Sequence, residues 1–135
     1  MTGDRDRAPW RAVVADDDAD IRLLVGIAVR RAGLELAADA ADGDAAWLAI
    51  LREKPQLVVL DVSMPGLTGL QLCRLIRADD RLSGIRILLL SASVDDASRR
   101  TATSAGADEF LVKPFSPREL AARLAEISTG ERVHQ

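Results

Sequence analysis

The segment Gln56-Leu57-Val58-Val59-Leu60-Asp61 decides the fold. Its four aliphatic residues run without polar alternation, the pattern of a β-strand covered on both faces rather than on one. Such a strand belongs in the middle of a parallel sheet with helices on either side. Lys54-Pro55 closes what precedes it, and Met64-Pro65-Gly66 turns the chain soon after it. Residues 85–90 form a second aliphatic run, interrupted only by Arg86 and stopped by Ser91-Ala92-Ser93. Shorter strand signals occupy residues 10–15, which halt at Asp16-Asp17-Asp18, the Ala-rich residues 34–40, and residues 108–112, which lead into Lys113-Pro114-Phe115.

Helical spacing fills the intervals. Over residues 19–31, Ile21, Leu24, Val25, Ala28 and Val29 recur on one helical face, and Gly33 ends the run. Asp42 is placed to cap the next helix, with Ala45, Ala46, Leu48, Ala49 and Leu51 as its apolar side. Thr68 is placed to cap a third, which contains Leu70, Leu72, Cys73, Leu75 and Ile76; residues 79–84 then read as a loop. A fourth helix, residues 96–105, is rich in Ser, Thr and Arg and poor in large apolar groups. The last has Ser116 as N-cap, Pro117 at the first helical position and Glu119 completing a capping box, with Leu120, Ala121 and Leu124 as its inner stripe. Strands alternating with helices through short links predict a three-layer α/β domain with a parallel sheet and right-handed crossovers. The expected boundaries are a polar lead over residues 1–9, one domain over residues 10–129 and a polar tail over residues 130–135.

Composition excludes several chemistries. A chain of 135 residues fits one domain with a real hydrophobic core and leaves little room for a second independent one. The only Cys is Cys73, so no disulfide forms within the chain, and its place on an aliphatic helix marks it as a core filler. The only His is His134, next to the last residue, which leaves a Cys/His zinc site or a histidine-based catalytic triad without its parts. With 18 basic against 21 acidic residues, the net charge of −3 argues against nonspecific DNA binding, and Trp10 and Trp47 read as packing residues rather than stacking platforms. Neither a signal peptide nor an apolar run near the ~18 residues of a membrane span is present, so a cytoplasmic location with no membrane partner is expected.

What remains is carboxylates, hydroxyls and two lysines, Lys54 and Lys113. In an open parallel sheet, ligands bind beyond the carboxyl ends of the strands. The chain places Asp16-Asp17-Asp18, Asp61, Ser91 and Lys113 at four such ends. Clustered carboxylates repel, and an all-oxygen donor set suits Mg2+, with Mn2+ as a substitute, better than zinc. A calcium loop fails: Asp16, Asp18 and Asp20 have the right spacing, but Ile21 stands where Gly is required and Ile27 where Glu is required. No phosphate-cradling glycine loop is present either. The set describes a phosphoryl site, with Asp61 as nucleophile, a metal and Lys113 neutralising the transferred oxygens, and Ser91 donating a hydrogen bond.

Four stretches carry a resemblance that covers residues 11–128. They are Val13-Val14-Ala15-Asp16-Asp17-Asp18-Ala19-Asp20-Ile21-Arg22; Leu60-Asp61-Val62-Ser63-Met64-Pro65-Gly66-Leu67-Thr68-Gly69; Leu90-Ser91-Ala92; and Gly106-Ala107-Asp108-Glu109-Phe110-Leu111-Val112-Lys113-Pro114-Phe115. In this order and spacing they resemble the receiver domains of two-component response regulators, the CheY-like family. The resemblance implies a flavodoxin-like (βα)5 fold with strand order 2-1-3-4-5. It implies Asp61 as phosphoacceptor, Asp17 as a direct Mg2+ ligand, Asp16 acting largely through water, and the backbone carbonyl of Ser63 as a further metal contact. It makes Ser91 and Lys113 the groups that meet the phosphoryl oxygens, Phe110 the aromatic switch alongside Ser91, and Lys113-Pro114 a cis peptide. Asp18 stands where the family often has Glu and takes a supporting role.

The implied partners are a sensor histidine kinase or histidine phosphotransfer protein as donor, and an effector meeting the surface over residues 96–128. Homodimerisation on phosphorylation also belongs to the family's repertoire. Limited autophosphorylation and autodephosphorylation are expected, not sustained turnover. Three alternatives stay open on the residues alone. One is a receiver-like adaptor that works without phosphorylation. Another is the input part of a longer DNA-binding regulator, since nothing after Ser128 can form a DNA-binding module and this chain is not expected to bind nucleic acid directly. The third, a metal-dependent phosphatase, usually carries a second Asp two positions after its nucleophile, where this chain has Ser63.

Overall fold

The computed structural model describes residues 8–93 and 95–129. The expectations for the tail, for His134 and for most of the polar lead lie outside the described residues. In chain order the elements are β1 (Arg11–Ala15), α1 (Ala19–Arg31), β2 (Glu35–Ala40), α2 (Gly43–Glu53), β3 (Leu57–Asp61), α3 (Gly69–Ala78), a 3-10 turn (Asp80–Leu82), β4 (Arg86–Ser91), α4 (Asp96–Ala105), β5 (Glu109–Val112) and α5 (Pro117–Ser128). All strand pairs are parallel and the order across the sheet is β2-β1-β3-β4-β5. This is the flavodoxin-like (βα)5 architecture anticipated from the alternating pattern and the resemblance.

β3 is central, and every one of its residues is buried. Its side chains alternate between two cores, as a period of two requires. Leu57 and Val59 join Val25, Ala28 and Val29 of α1 and Leu120 and Leu124 of α5 on one face. Val58 and Leu60 join Ala46 and Ile50 of α2 and Leu72 and Ile76 of α3 on the other. Each Val, Leu or Ile side chain so removed from water contributes about 1.5–3 kcal/mol, so a few of them outweigh any single polar contact. Cys73 lies in the second core, fully buried, and burial pushes its thiol up to about 11.

Local signals set most element ends. Asp42 Oδ1 accepts from Ala45 N at 2.8 Å, and Ser116 Oγ from Glu119 N at 2.9 Å with Pro117 in the first turn. A reciprocal capping box forms at Thr68, whose Oγ1 accepts from Gln71 N while its own N–H donates to Gln71 Oε1. At Ser116 only the forward bond is made.

The helical phase departs from expectation in α2. Leu48, assigned to the apolar side, is 64% exposed, whereas Ile50 is fully buried. At 100° per residue, Ala46, Ala49, Ile50 and Glu53 share a stripe that leaves Leu48 pointing away. Leu24 on α1 and Leu75 on α3 also lie at the exposed margins of their stripes. In α4 the buried positions are Ala102 and Ala105, in keeping with its poverty in large apolar groups.

Candidate functional site

Register brings distant residues to one edge of the sheet. Ala15 pairs with Leu60, Asp61 with Leu90, and Ser91 with Val112, so the chain leaves β1, β3, β4 and β5 at neighbouring points. Two loop bonds fix the exits: Val62 N donates to Leu90 O at 2.8 Å, and Lys113 N to Ser91 O at 2.8 Å. Asp16, Asp61 and Ser91 are the buried polar residues there, at 0%, 5% and 5% exposure. Gly69, at the start of α3, sits against the Asp61 backbone so closely that a Cβ would fall 2.2 Å from Asp61 O. Only glycine lets α3 begin directly behind the carboxylate.

Carboxylate oxygens of Asp16, Asp17 and Asp61 lie within 4.8 Å of one another. Lys113 Nζ lies 2.9 Å from Asp16 Oδ2 and 3.4 Å from Asp61 Oδ1. The first contact is the shorter, and it closes on a fully buried carboxylate. One ammonium thus pairs with two of the three carboxylates. Burial and the neighbouring Asp16 charge raise the Asp61 carboxyl above its ordinary range, against the pull of Lys113 and of Ser63 N–H, which donates to Oδ1 at 3.5 Å. Burial works to lower the Lys113 ammonium, but the Asp16 and Asp61 carboxylates more than offset it and hold it above the usual lysine range.

Three convergent carboxylates that a single ammonium leaves with residual negative charge, and exclusively hard oxygen donors, fit a divalent cation of the Mg2+ class. Asp16, Asp17 and Asp61 would hold it, with Asp17 the exposed member on the solvent side.

The other expected residues are placed as follows. Ser91 Oγ accepts from Ser93 N at 3.0 Å. The Lys113-Pro114 peptide is cis. Phe110 is half-buried on β5, with the Arg99 guanidinium carbon 5.3 Å from its ring centroid. Ser63 follows Asp61 in an exposed bend. Asp18 stands outside the carboxylate group: its Oδ1 accepts from Asp20 N at 2.9 Å and Ile21 N at 3.2 Å as the N-cap of α1. An Asp directly before a helical run is the signal for that role.

Two arginines carry work that no motif announced. Arg22 Nη1 donates to Asp16 O at 2.8 Å, bracing the acidic loop. Arg77 bridges the opposite end of the sheet, donating to Gly106 O at 2.9 Å, Ser83 O at 3.0 Å, Ile85 O at 2.6 Å and Asp108 Oδ2 at 2.8 Å. Their acceptors are mainly backbone carbonyls, which leave no imprint on sequence.

Residues 12–125 match the sequence profile described as the response regulator receiver domain. Among curated proteins, the DNA-binding response regulator MtrA of Mycobacterium tuberculosis is 39% identical over 114 residues, which is 84% of this chain and 48% of MtrA. The chain therefore spans about half the length of the curated relatives it matches. Among solved structures, the chemotaxis response regulator CheY4 of Vibrio cholerae superimposes with a TM-score of 0.82 at 28% identity, covering 89% of this chain and 99% of that one. The REC domain of AraT, a response regulator from Geobacillus stearothermophilus, gives 0.81 at 26% identity over 91% and 95% of the two chains.

Proposed function

This chain belongs to the response regulator receiver family, and from that membership we propose that Asp61 accepts a phosphoryl group from a phosphohistidine donor in a Mg2+-dependent reaction that switches partner binding. The observation that carries the proposal is the meeting of Asp61 with Asp16, Asp17 and Lys113 at one sheet edge.

Held by the three carboxylates, Mg2+ would supply the positive charge that a phosphoryl group needs before it can approach so acidic a site. The chain's own residues do the rest. An Asp61 oxygen attacks phosphorus in line; the new O–P bond forms as the donor's N–P bond breaks, and the imidazole leaves with the electron pair. Lys113, already between Asp16 and Asp61, pairs with a phosphoryl oxygen, and the Ser91 hydroxyl turns to donate to another. The acyl phosphate is lost when water attacks phosphorus and returns the Asp61 carboxylate. Ser63 and Ser93, two residues after Asp61 and Ser91, flank that water's approach.

The donor in this reading is a sensor histidine kinase or a histidine phosphotransfer protein. The receiver unit comprises residues 10–129, and Phe110 transmits the state of Ser91 to an effector surface on α4, β5 and α5. Incubation with Mg2+ and acetyl phosphate, followed by intact-mass measurement, tests the proposal. One phosphoryl group per chain is expected, none without Mg2+ and none in Asp61→Asn. Undiminished one-for-one labelling of Asp61→Asn would overturn the assignment.

A further inference from the structure

Neighbouring residues of α4 reach both halves of the switch, Ser98 by way of Ser93 and Arg99 directly. Ser98 Oγ donates to Ser93 Oγ at 3.0 Å, and Ser93 N donates to Ser91 Oγ at 3.0 Å, so a hydrogen-bonded path runs from α4 to the Ser91 hydroxyl. The next residue, Arg99, lays its guanidinium over the Phe110 ring. Phe110 forms part of the wall between two spaces. Outside is a groove of about 420 Å³ bordered by Arg99, Thr103, Glu109 and Arg123. On the other side of Phe110 is a partly open pocket of about 200 Å³ lined by Val62, Leu70, Ser91, Ala97 and Thr101.

We propose that Ser98 and Arg99 form a two-point latch that holds Ser91 and Phe110 in their resting positions and thereby sets the threshold for activation at Asp61. The inference rests on the switch reading of Ser91 and Phe110 given above. A Ser91 hydroxyl that turns to a phosphoryl oxygen gives up the N–H of Ser93, whose side chain Ser98 steadies. A Phe110 ring that swings into the pocket beside Ser91 leaves Arg99 behind. The helix that supplies the latch buries only Ala102 and Ala105, so these polar and cation–π contacts are a large share of what positions its exposed first turns. Arg99 and Ser98 are positioning residues, acting through Phe110 and Ser93.

The sequence contains only two phenylalanines, Phe110 and Phe115, so 4-fluorophenylalanine labelling gives a two-line 19F NMR spectrum, assigned with Phe115→Leu. The full chain is titrated with beryllofluoride in the presence of Mg2+, and the Phe110 line reports the transition. Arg99→Gln is expected to lower the midpoint about two- to five-fold, the range of an exposed cation–π contact. Ser98→Ala is expected to lower it by a similar factor of about three to five for one hydroxyl bond. The backbone N–H of Ser98, which bonds to the Asp95 cap at 2.7 Å, is untouched by that change. Ser98→Thr keeps the hydroxyl and should titrate as the unmodified chain does. Midpoints that stay the same or rise in both Arg99→Gln and Ser98→Ala, with a normal Phe110 transition, overturn the latch alone. A Phe110 line that ignores beryllofluoride while Asp61 still accepts phosphoryl overturns the switch reading and the latch with it.

Discussion

Lys113 Nζ stands 2.9 Å from Asp16 Oδ2, nearer than its 3.4 Å approach to Asp61 Oδ1. The lysine expected to serve the phosphoryl group therefore also neutralises a fully buried carboxylate at the end of β1. Removing it isolates a charge that has nowhere to relax. Lys113→Met is expected to destabilise the chain by about 3 kcal/mol in urea unfolding. Asp16→Asn in the same background should recover much of that loss; a double variant no better than Lys113→Met would show that the pair is not the cause.

Asp61 has the opposite energetic sign. Its carboxyl is raised, so between the ordinary carboxylate range and its folded value the native state binds more protons than the unfolded chain. That contribution to stability is present at acid pH and is lost as pH rises through the folded value. At neutral pH the ionised Asp61 is a burden, and Asp61→Asn should raise Tm there, the gain shrinking as pH falls through the raised folded value toward the ordinary carboxylate range of about 4. A Tm gain independent of pH would contradict this account.

Mg2+ should stabilise the chain by mass action, since the carboxylates converge only in the folded state. Thermal scans with and without 10 mM (on the order of a saturating concentration) MgCl2 read this directly. Asp17→Asn, which alters the exposed member of the group, is expected to leave the metal-free Tm near its original value and to remove most of the Mg2+ increment.

Two glycines give opposing outcomes. Gly69→Ala drives a Cβ toward Asp61 O and should cost about 3 kcal/mol while displacing the phosphoacceptor and slowing its labelling. At Gly84 nothing lies within 4 Å of an added Cβ, so Gly84→Ala should change stability by less than about 1 kcal/mol and leave labelling intact. Equal effects at both positions would refute the close-approach argument.

Arg77 ties α3 to the start of β4, the end of α4 and the start of β5 through its bonds to Ile85, Gly106 and Asp108. Arg77→Ala is expected to cost about 2–4 kcal/mol by chemical denaturation, because several buried or half-buried acceptors lose their donor together. Arg77→Lys should restore only a part, since an ammonium cannot reproduce the guanidinium's planar fork.

The layer order and the identity of the site were legible in the chain because their signals are local. An unalternating Leu57–Leu60 run needs two covered faces whatever surrounds it. Carboxylates, a hydroxyl and a lysine placed directly after such runs must arrive at one edge once the strands are parallel. Thr68 and Asp42 cap helices through neighbours three residues away, again a matter of local chemistry.

Other assignments needed the assembled molecule. Leu48 and Ile50 are both apolar residues of one helix, and only the packing of α2 against the sheet sends one outward and buries the other. Asp18 is chemically equal to Asp16 and Asp17, yet the first turn of α1 claims its side chain and keeps it from the carboxylate group. The reach of Arg77 to carbonyls, of Arg99 to Phe110 and of Lys113 to Asp16 joins partners dozens of residues apart or on separate elements. A local pattern states which stretches are strands and which residues cap helices; the meeting of two distant side chains depends on the summed packing of both cores, which no single stretch contains.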